Sequence, residues 1–334
     1  KITALYSDGS TKDITSFTIS PSTVKAAGNN TVTVTYSGKT TTVTVPGKAG
    51  VQADVEDTAV ISIGSSQIWM TMTVDELTSS YGQPDEKLAS FKSYTWYVYG
   101  TDDYADFFAV GIENKTVVAI YANSPAFSYE GVGFGDVCPI STDDSTSNKG
   151  VRSKAYTTLD KYTVTYYVDH NNTDSDGNAL VHAVCIEKTS YIKNILYYSY
   201  TQSELDDGCR LNFHLLNAFR LCYGLNILEW CDTAADVAQA HSLDMATNDY
   251  VSHTSLDGRT MSERITNGGI LWRRCGENIA AGSDTALFTH NGWVNSSGHR
   301  DNLIGEFERV GIGASYNEDS TYRVYWTQNF YTPR

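Results

Sequence analysis

The hydrophobic periodicity of this chain changes once along its length, and that change restricts the folds open to it. Up to about residue 205 apolar residues mostly alternate with polar ones, the two-residue period of half-buried strands; from Leu211 they recur at helical spacing. At 334 residues the chain is too long for one ordinary core. The expected architecture is therefore multi-domain. Residues 1–46 are expected to form a small all-β module, 58–205 a β-rich α+β middle domain, and 206–334 an α-β-α sandwich.

In the first segment Val32, Val34 and Tyr36 share one strand face, Ser37-Gly38 turns the chain, and Thr40 to Val45 returns it. PGKAGVQADVED, residues 46–57, has no periodicity and reads as a linker. In the middle segment Thr73 and Glu76 stand at capping-box spacing before a short helix that Gly82 and Pro84 end. A weak repeat follows: Tyr94-Thr95 leads through Tyr97-Val98-Tyr99 to AVGIE at 109–113, and Tyr162-Thr163 leads through Tyr166-Tyr167-Val168 to AVCIE at 183–187. Two strand-turn-strand copies in one antiparallel sheet is the simplest reading. Ser128 to Lys154, rich in Gly, Ser, Asp and Thr, is expected to be a long loop between them.

In the last segment Leu211, Leu215, Ala218 and Cys222 predict a helix, with Gly224 where a C-terminal cap glycine belongs. Asp232 is a candidate N-cap for a second helix, with Ala234, Val237, Ala238, His241 and Met245 on one face. A third, from about Asp284 to Asn295, carries Leu287, His290, Asn291 and Val294 together. A hairpin closes the chain: Arg309 to Tyr316, a turn at Asn317 to Ser320, then Tyr322 to Phe330.

Composition narrows the partners. The 23 tyrosines, with abundant Ser and Thr and little Lys, suit an exported β-rich protein. A net charge of −15 repels phosphate backbones and anionic head groups, which disfavours nucleic acid and membrane-surface partners. No run approaches the ~20 apolar residues of a transmembrane segment. The chain starts at Lys1 without Met or a signal-like stretch, so the expectation is a removed signal or a piece of a longer protein. Six cysteines without a CxxC pair argue against a zinc ribbon or a thioredoxin-type motif; they permit disulfides, and they equally suit six small buried thiols.

Five of the seven histidines follow residue 211, and two of them, His253 in DYVSHTSLDG and His299 in WVNSSGHRDNLI, lie in polar sequence where a side chain can face a cleft. Glu277 stands between them in CGENIAAG. His241 and His290 sit on apolar helical faces and read as satisfied core histidines. Arg300 reads as a surface ion-pair partner and Asn278 as a turn-former. Ser255, Ser296 and Ser297 lie near the histidines, but no elbow motif or triad order marks a serine nucleophile.

Resemblances sharpen these readings. YSDGSTKDITSFTIS followed by GNNTVTVTYSGKTTTVTV resembles the later strands of bacterial immunoglobulin-like (Ig-like) surface modules; the first strands of that pattern are missing, so the chain is expected to begin inside the module. The middle segment resembles the domain that often precedes the C-terminal module in secreted Firmicute proteins. LNFHLLNAFRLCYGLNILEWC, AADVAQAHSLDMATNDYVSHTSLDGRTMSERI, CGENIAAG, GWVNSSGHRDNLI and VYWTQNF resemble, in that order, the successive motifs of the CAP superfamily in its bacterial SCP-like form. That superfamily comprises cysteine-rich secretory, antigen 5 and pathogenesis-related proteins.

The resemblance implies an extracellular, secreted or cell-surface protein and a cleft lined by two histidines and two glutamates. His253 matches the first histidine, Glu277 the glutamate of the GEN motif and His299 the histidine of the GH motif. The second glutamate does not carry over: eukaryotic members place it three residues after the tryptophan, where this chain has Ser296 after Trp293. Two imidazoles can hold Zn or another divalent metal, weakly, and Glu277 either completes that site or only pins a loop. Cys275 is expected to pair with a cysteine of residues 209–231, since relatives often use a cysteine there in a disulfide. The favoured function is binding of a small ligand, lipid, sterol-like or glycan, in the cleft. The alternatives are a metal-assisted hydrolase or peptidase in which Glu277 is the catalytic base beside His253 and His299, and an adhesive surface protein with no active cleft.

Overall fold

The computed structural model describes the strands between residues 2 and 47 and residues 59–140, 154–158, 161–191 and 199–334. The chain divides into two units, residues 1–52 with 65–67, and residues 53–64 with 68–334.

In the first unit Ile2–Leu5 pairs antiparallel with Thr11–Ile14, and Thr18–Ser20, Gly28–Tyr36 and Lys39–Gly47 form a three-stranded sheet. Tyr36 lies opposite Lys39, which leaves two residues for the reversal, the length expected of this hairpin. Most of the expected linker lies outside the described residues.

The first helix of the second unit is α1, Val74–Tyr81, whose capping box between Thr73 and Glu76 and C-cap Gly82 stand where the sequence placed them. Seven antiparallel strands follow. They are β1 (Glu86–Ala89), β2 (Thr95–Tyr99), β3 (Phe108–Glu113), β4 (Thr116–Ala122), β5 (Lys154–Thr158), β6 (Tyr162–Thr173) and β7 (Ala179–Lys188), in the order β5-β6-β7-β4-β3-β2-β1. Both copies of the weak repeat, β2–β3 and β6–β7, thus join one sheet, with β4 between them. The long loop expected from Ser128 is interrupted by short pairing of Phe127–Tyr129 with Val132–Gly133 and with Val60–Ile63; residues 141–153 lie outside the described residues.

The last segment begins with helix α2, Gln202–Cys222, nine residues earlier than its apolar period suggests, because Thr201 and Glu204 form a capping box. Gly224 adopts positive φ just beyond the helix end. Next come β8 (Glu229–Trp230), α3 (Asp232–Asn248), α4 (Met261–Asn267), β9 (Trp272–Ala281), α5 (Ala286–Val294), α6 (Ser297–Leu303), β10 (Arg309–Tyr316) and β11 (Val324–Pro333). Asp232 is the first residue of α3 rather than its N-cap, which is Cys231, and it accepts a bond from the Trp230 indole at 2.8 Å.

The four strands run β8-β10-β11-β9, leaving β9 at an edge. Alternate residues of β10 face opposite layers, as a pleated strand requires. Val310, Ile312 and Ala314 join the core that includes α2, while a Cβ on Gly311 or Gly313 would stand 2.0 Å and 2.2 Å from backbone nitrogens of α3. Only glycine admits that approach. The α-β-α sandwich expected of this segment is therefore present.

Its core is not separate. One continuous cluster joins Phe91, Trp96, Tyr104, Tyr121 and Tyr167 of the middle segment to Leu205, Leu211, Leu215 and Phe219 of α2 and to Trp326 and Phe330 of β11. The expected boundary at residue 206 falls inside α2, and the expectation of independent cores on its two sides is corrected: the two-faced helix α2 has the larger sheet against one side and its own module against the other. Polar bonds cross the same seam. The Asn123 amide donates to Leu215 O at 3.0 Å, the Tyr104 hydroxyl bonds His214 Nδ1 at 2.9 Å, and Arg300 pairs with Asp169 at 2.8 Å. Arg300, expected at the surface, has only 13% of its side chain exposed and Asp169 1%.

All six cysteines are free thiols, so the expected pairing of Cys275 with a cysteine of residues 209–231 is corrected. Cys231 and Cys275 pack around Tyr331, whose hydroxyl donates to the Cys231 sulfur at 3.1 Å.

Four histidines share one electrostatic fate. Burial lowers the pKa of His182, His241, His290 and His299, most strongly for His290. His290 is buried as expected but not satisfied, since neither ring nitrogen has a partner among the described residues. Folding thus favours the neutral rings, while the unfolded chain takes up protons as pH falls through about 6.5. Stability is full above that pH and declines below it, by up to about 1.4 kcal/mol per pH unit for each proton involved. Urea denaturation at pH 7.5, 6.0 and 5.2 should show this decline, and His290→Phe should make it shallower. Equal stability across that range would refute the assignment.

Candidate functional site

Glu277 lies on edge strand β9, with 2% of its side chain exposed. One carboxylate oxygen, Oε1, bonds His253 Nδ1 at 2.8 Å; the other, Oε2, accepts from Arg264 at 2.6 Å. Arg264 comes from α4, whose start is set by the capping box of Thr260 and Glu263, and 5% of its side chain is exposed. Its other terminal nitrogen donates to His253 O, Arg259 O and Ser255 Oγ at 3.0, 3.1 and 3.2 Å. The guanidinium thereby fixes both the carboxylate and the loop that carries His253. His253 itself leaves 57% of its side chain in solvent, with Nδ1 committed to Glu277 and, among the described residues, no partner on Nε2.

The next residue of β9 holds the second histidine. Asn278, expected to form a turn, is instead fully buried within the strand: its amide donates to His299 O and Gln328 Oε1, both at 3.1 Å, and its oxygen accepts from Asn302 at 2.9 Å. His299 is half-buried in the first turn of α6. Burial lowers its pKa, and the charge of nearby His253 lowers it further. Consecutive strand residues point to opposite faces, so Glu277 and Asn278 tether one histidine segment from each side of the sheet, and at an edge strand the two can meet.

The three residues named from sequence are therefore brought to one edge. Ser296, at the place of the family's second glutamate, is the N-cap of α6 and makes no capping bond. Ser255 is buried and bonded to Arg264. Sequence reasoning missed Arg264 and Asn302, and no local signal marks either one: an arginine in a last helical turn ordinarily reads as solvated.

As a metal site the donor set is sparse. Among the described residues no group of three or more His, Cys, Asp or Glu side chains is placed to hold an ion. Glu277 has both oxygens engaged and would serve to orient His253 rather than to ligate, which would leave two imidazoles as the donors to a metal. That arrangement fits a weakly held divalent cation and not a tight or structural one.

Comparison with known proteins places the domains of the chain. Residues 213–330 match the family model described as cysteine-rich secretory protein family, CAP, and residues 70–139 match the model of the CAP-associated N-terminal domain. The chain is 26% identical over 298 residues to the Bacillus subtilis protein named uncharacterized membrane protein YlbC, covering 78% of this chain and 82% of that one. It is 35% identical over 117 residues to uncharacterized protein YkwD of the same organism, 35% of this chain and 44% of the relative. Among solved structures, an extracellular protein containing an SCP domain from Bacillus anthracis matches with a TM-score of 0.66 at 25% identity, over 79% of this chain and 93% of that one. A cysteine-rich secretory protein from Staphylococcus aureus shares the fold, with a TM-score of 0.60 at 16% identity and the same coverage. No helix among the described residues is long and apolar enough to cross a membrane. The chain carries a CAP domain at residues 213–330, preceded by a CAP-associated N-terminal domain at residues 70–139.

Proposed function

We infer that this is an extracellular or cell-surface binding protein whose CAP domain captures a small ligand, lipid, sterol-like or glycan, at the edge of its sheet, with His253 and His299 facing the ligand and a divalent metal held weakly between them. The N-terminal strands serve as an Ig-like spacer. The observation that carries this reading is the state of Glu277: its side chain is 2% exposed, and its two oxygens are engaged by the buried Arg264 guanidinium and by His253, so the carboxylate is shielded from water and its charge is held by Arg264. A hydrolase using Glu277 as its base is disfavoured on that ground, and the carboxylate acts instead to aim His253. The extracellular assignment draws on the Bacillus anthracis SCP-domain protein.

Zn²⁺ titration with thermal unfolding tests the site. The melting temperature should rise with Zn²⁺, reaching about 2.7 kcal/mol of added stability at a hundredfold excess over Kd, and the rise should vanish in the His253→Ala, His299→Ala double variant. An equal rise in that variant would assign the effect to surface carboxylates, and no rise in the native chain would remove the metal from the reading.

A further inference from the structure

A pocket lies away from the two site histidines, where α2 and the start of α5 approach the larger sheet. Its volume is about 280 Å³, near the lower end of the range for small-molecule sites, roughly 300–1,000 Å³, and small for an extended lipid. Phe91, Tyr94, Trp96, Tyr167 and Leu211 wall it with apolar surface. At its polar end Lys92 Nζ meets Glu187 Oε1 at 2.5 Å, and the Tyr94 hydroxyl donates to the same oxygen at 2.7 Å. These groups are largely withdrawn from water, with 13% of the Lys92 side chain and 10% of the Glu187 side chain exposed.

The pair keeps bonding capacity that can face a ligand. An ammonium has three donors and a carboxylate two oxygens, yet among the described residues Lys92 Nζ has one acceptor and Glu187 Oε2 has no donor. Both groups line the pocket, so a ligand with both an acceptor and a donor can bond them there in place of water.

The weak sequence repeat explains how the pocket is built. Glu187 closes AVCIE, as Glu113 closes AVGIE. The copies differ at Gly111 and Cys185, and a Cβ on Gly111 would stand 2.6 Å from the Tyr94 ring. Glycine there lets Tyr94 lie against the sheet with its hydroxyl on the other copy's glutamate, while Glu113 is occupied by Ser93 and Tyr191 at 2.6 and 2.5 Å. One copy of the repeat has thus a spent carboxylate, the other a half-free one facing a cavity.

We propose that this pocket binds a free amino acid with an aromatic or branched apolar side chain, its carboxylate on Lys92, its ammonium on Glu187 Oε2 and its side chain among the aromatic walls. The mutual neutralisation of Lys92 and Glu187 favours a zwitterion over a ligand carrying one charge. Asp284 also lines the pocket, where burial raises its pKa.

Calorimetric titration of the full chain with L-phenylalanine, 3-phenylpropionate and phenethylamine tests this. L-Phenylalanine should bind roughly tenfold or more tighter than either singly charged analogue, since each analogue leaves one buried charge unmet. Lys92→Met should reverse the order in favour of phenethylamine, and Glu187→Gln in favour of 3-phenylpropionate. Gly111→Ala, which displaces Tyr94, should weaken all three while leaving the Zn²⁺ response at the two histidines intact, so this proposal and the CAP-site reading fail separately. Absence of binding by all three to the native chain, or one ranking in native and both charge variants, would overturn it.

Discussion

Produced alone, residues 199–334 should show no cooperative melting transition, whereas residues 59–334 should melt in one step. The reason is the seam along α2. Leu211, Leu215 and Phe219 belong to a cluster that continues into Trp96, Tyr121 and Tyr167. Full burial of such side chains stabilises by about 1.5–3 kcal/mol each, so uncovering three costs about 5–9 kcal/mol. That is comparable with the entire stability of a domain, about 5–15 kcal/mol. Removing the sheet would also strand Arg300 without Asp169 and His214 without Tyr104. Differential scanning calorimetry decides the matter: a cooperative transition of the shorter piece within a few degrees of the longer would show that the seam contributes little.

Glu277→Ala should be the most costly single change at the site, destabilising the chain by about 3–5 kcal/mol, because it leaves Arg264 charged and buried without its partner. Arg264→Met should cost a similar amount by stranding Glu277. His253→Ala removes a partner that is mostly in solvent and should cost less than about 1 kcal/mol. Urea denaturation at pH 7 measures all three. Near-equal costs for Glu277→Ala and His253→Ala would mean that Arg264 does not depend on the carboxylate, and the positioning role assigned to Glu277 would fall with it.

Local signals were legible wherever one stretch of chain satisfies its own backbone. The Thr73–Glu76 capping box and the terminal hairpin needed no distant partner, and the repeat was visible because each copy makes the same strand-turn-strand. The same capping box at Thr201–Glu204 went unread because Asp206, Asp207 and Gly208 interrupt the apolar period. Gly208 is there for a tertiary reason: a Cβ would stand 3.0 Å from both Phe91 and Trp326.

By itself the sequence determined the change from strand to helical period and the α-β-α character of the last segment, and it singled out His253, Glu277 and His299 as candidates, since periodicity and ordered motifs are written along the chain. Tertiary structure alone decided that α2 serves two layers, that Arg300 is buried against Asp169, and that Arg264 takes the second oxygen of Glu277. Burial and charge pairing depend on what lies across the fold. An arginine on a short helix reads the same in sequence whether it faces water or a carboxylate, and only the folded chain, by excluding water from Arg264 and Glu277 together, makes them one unit.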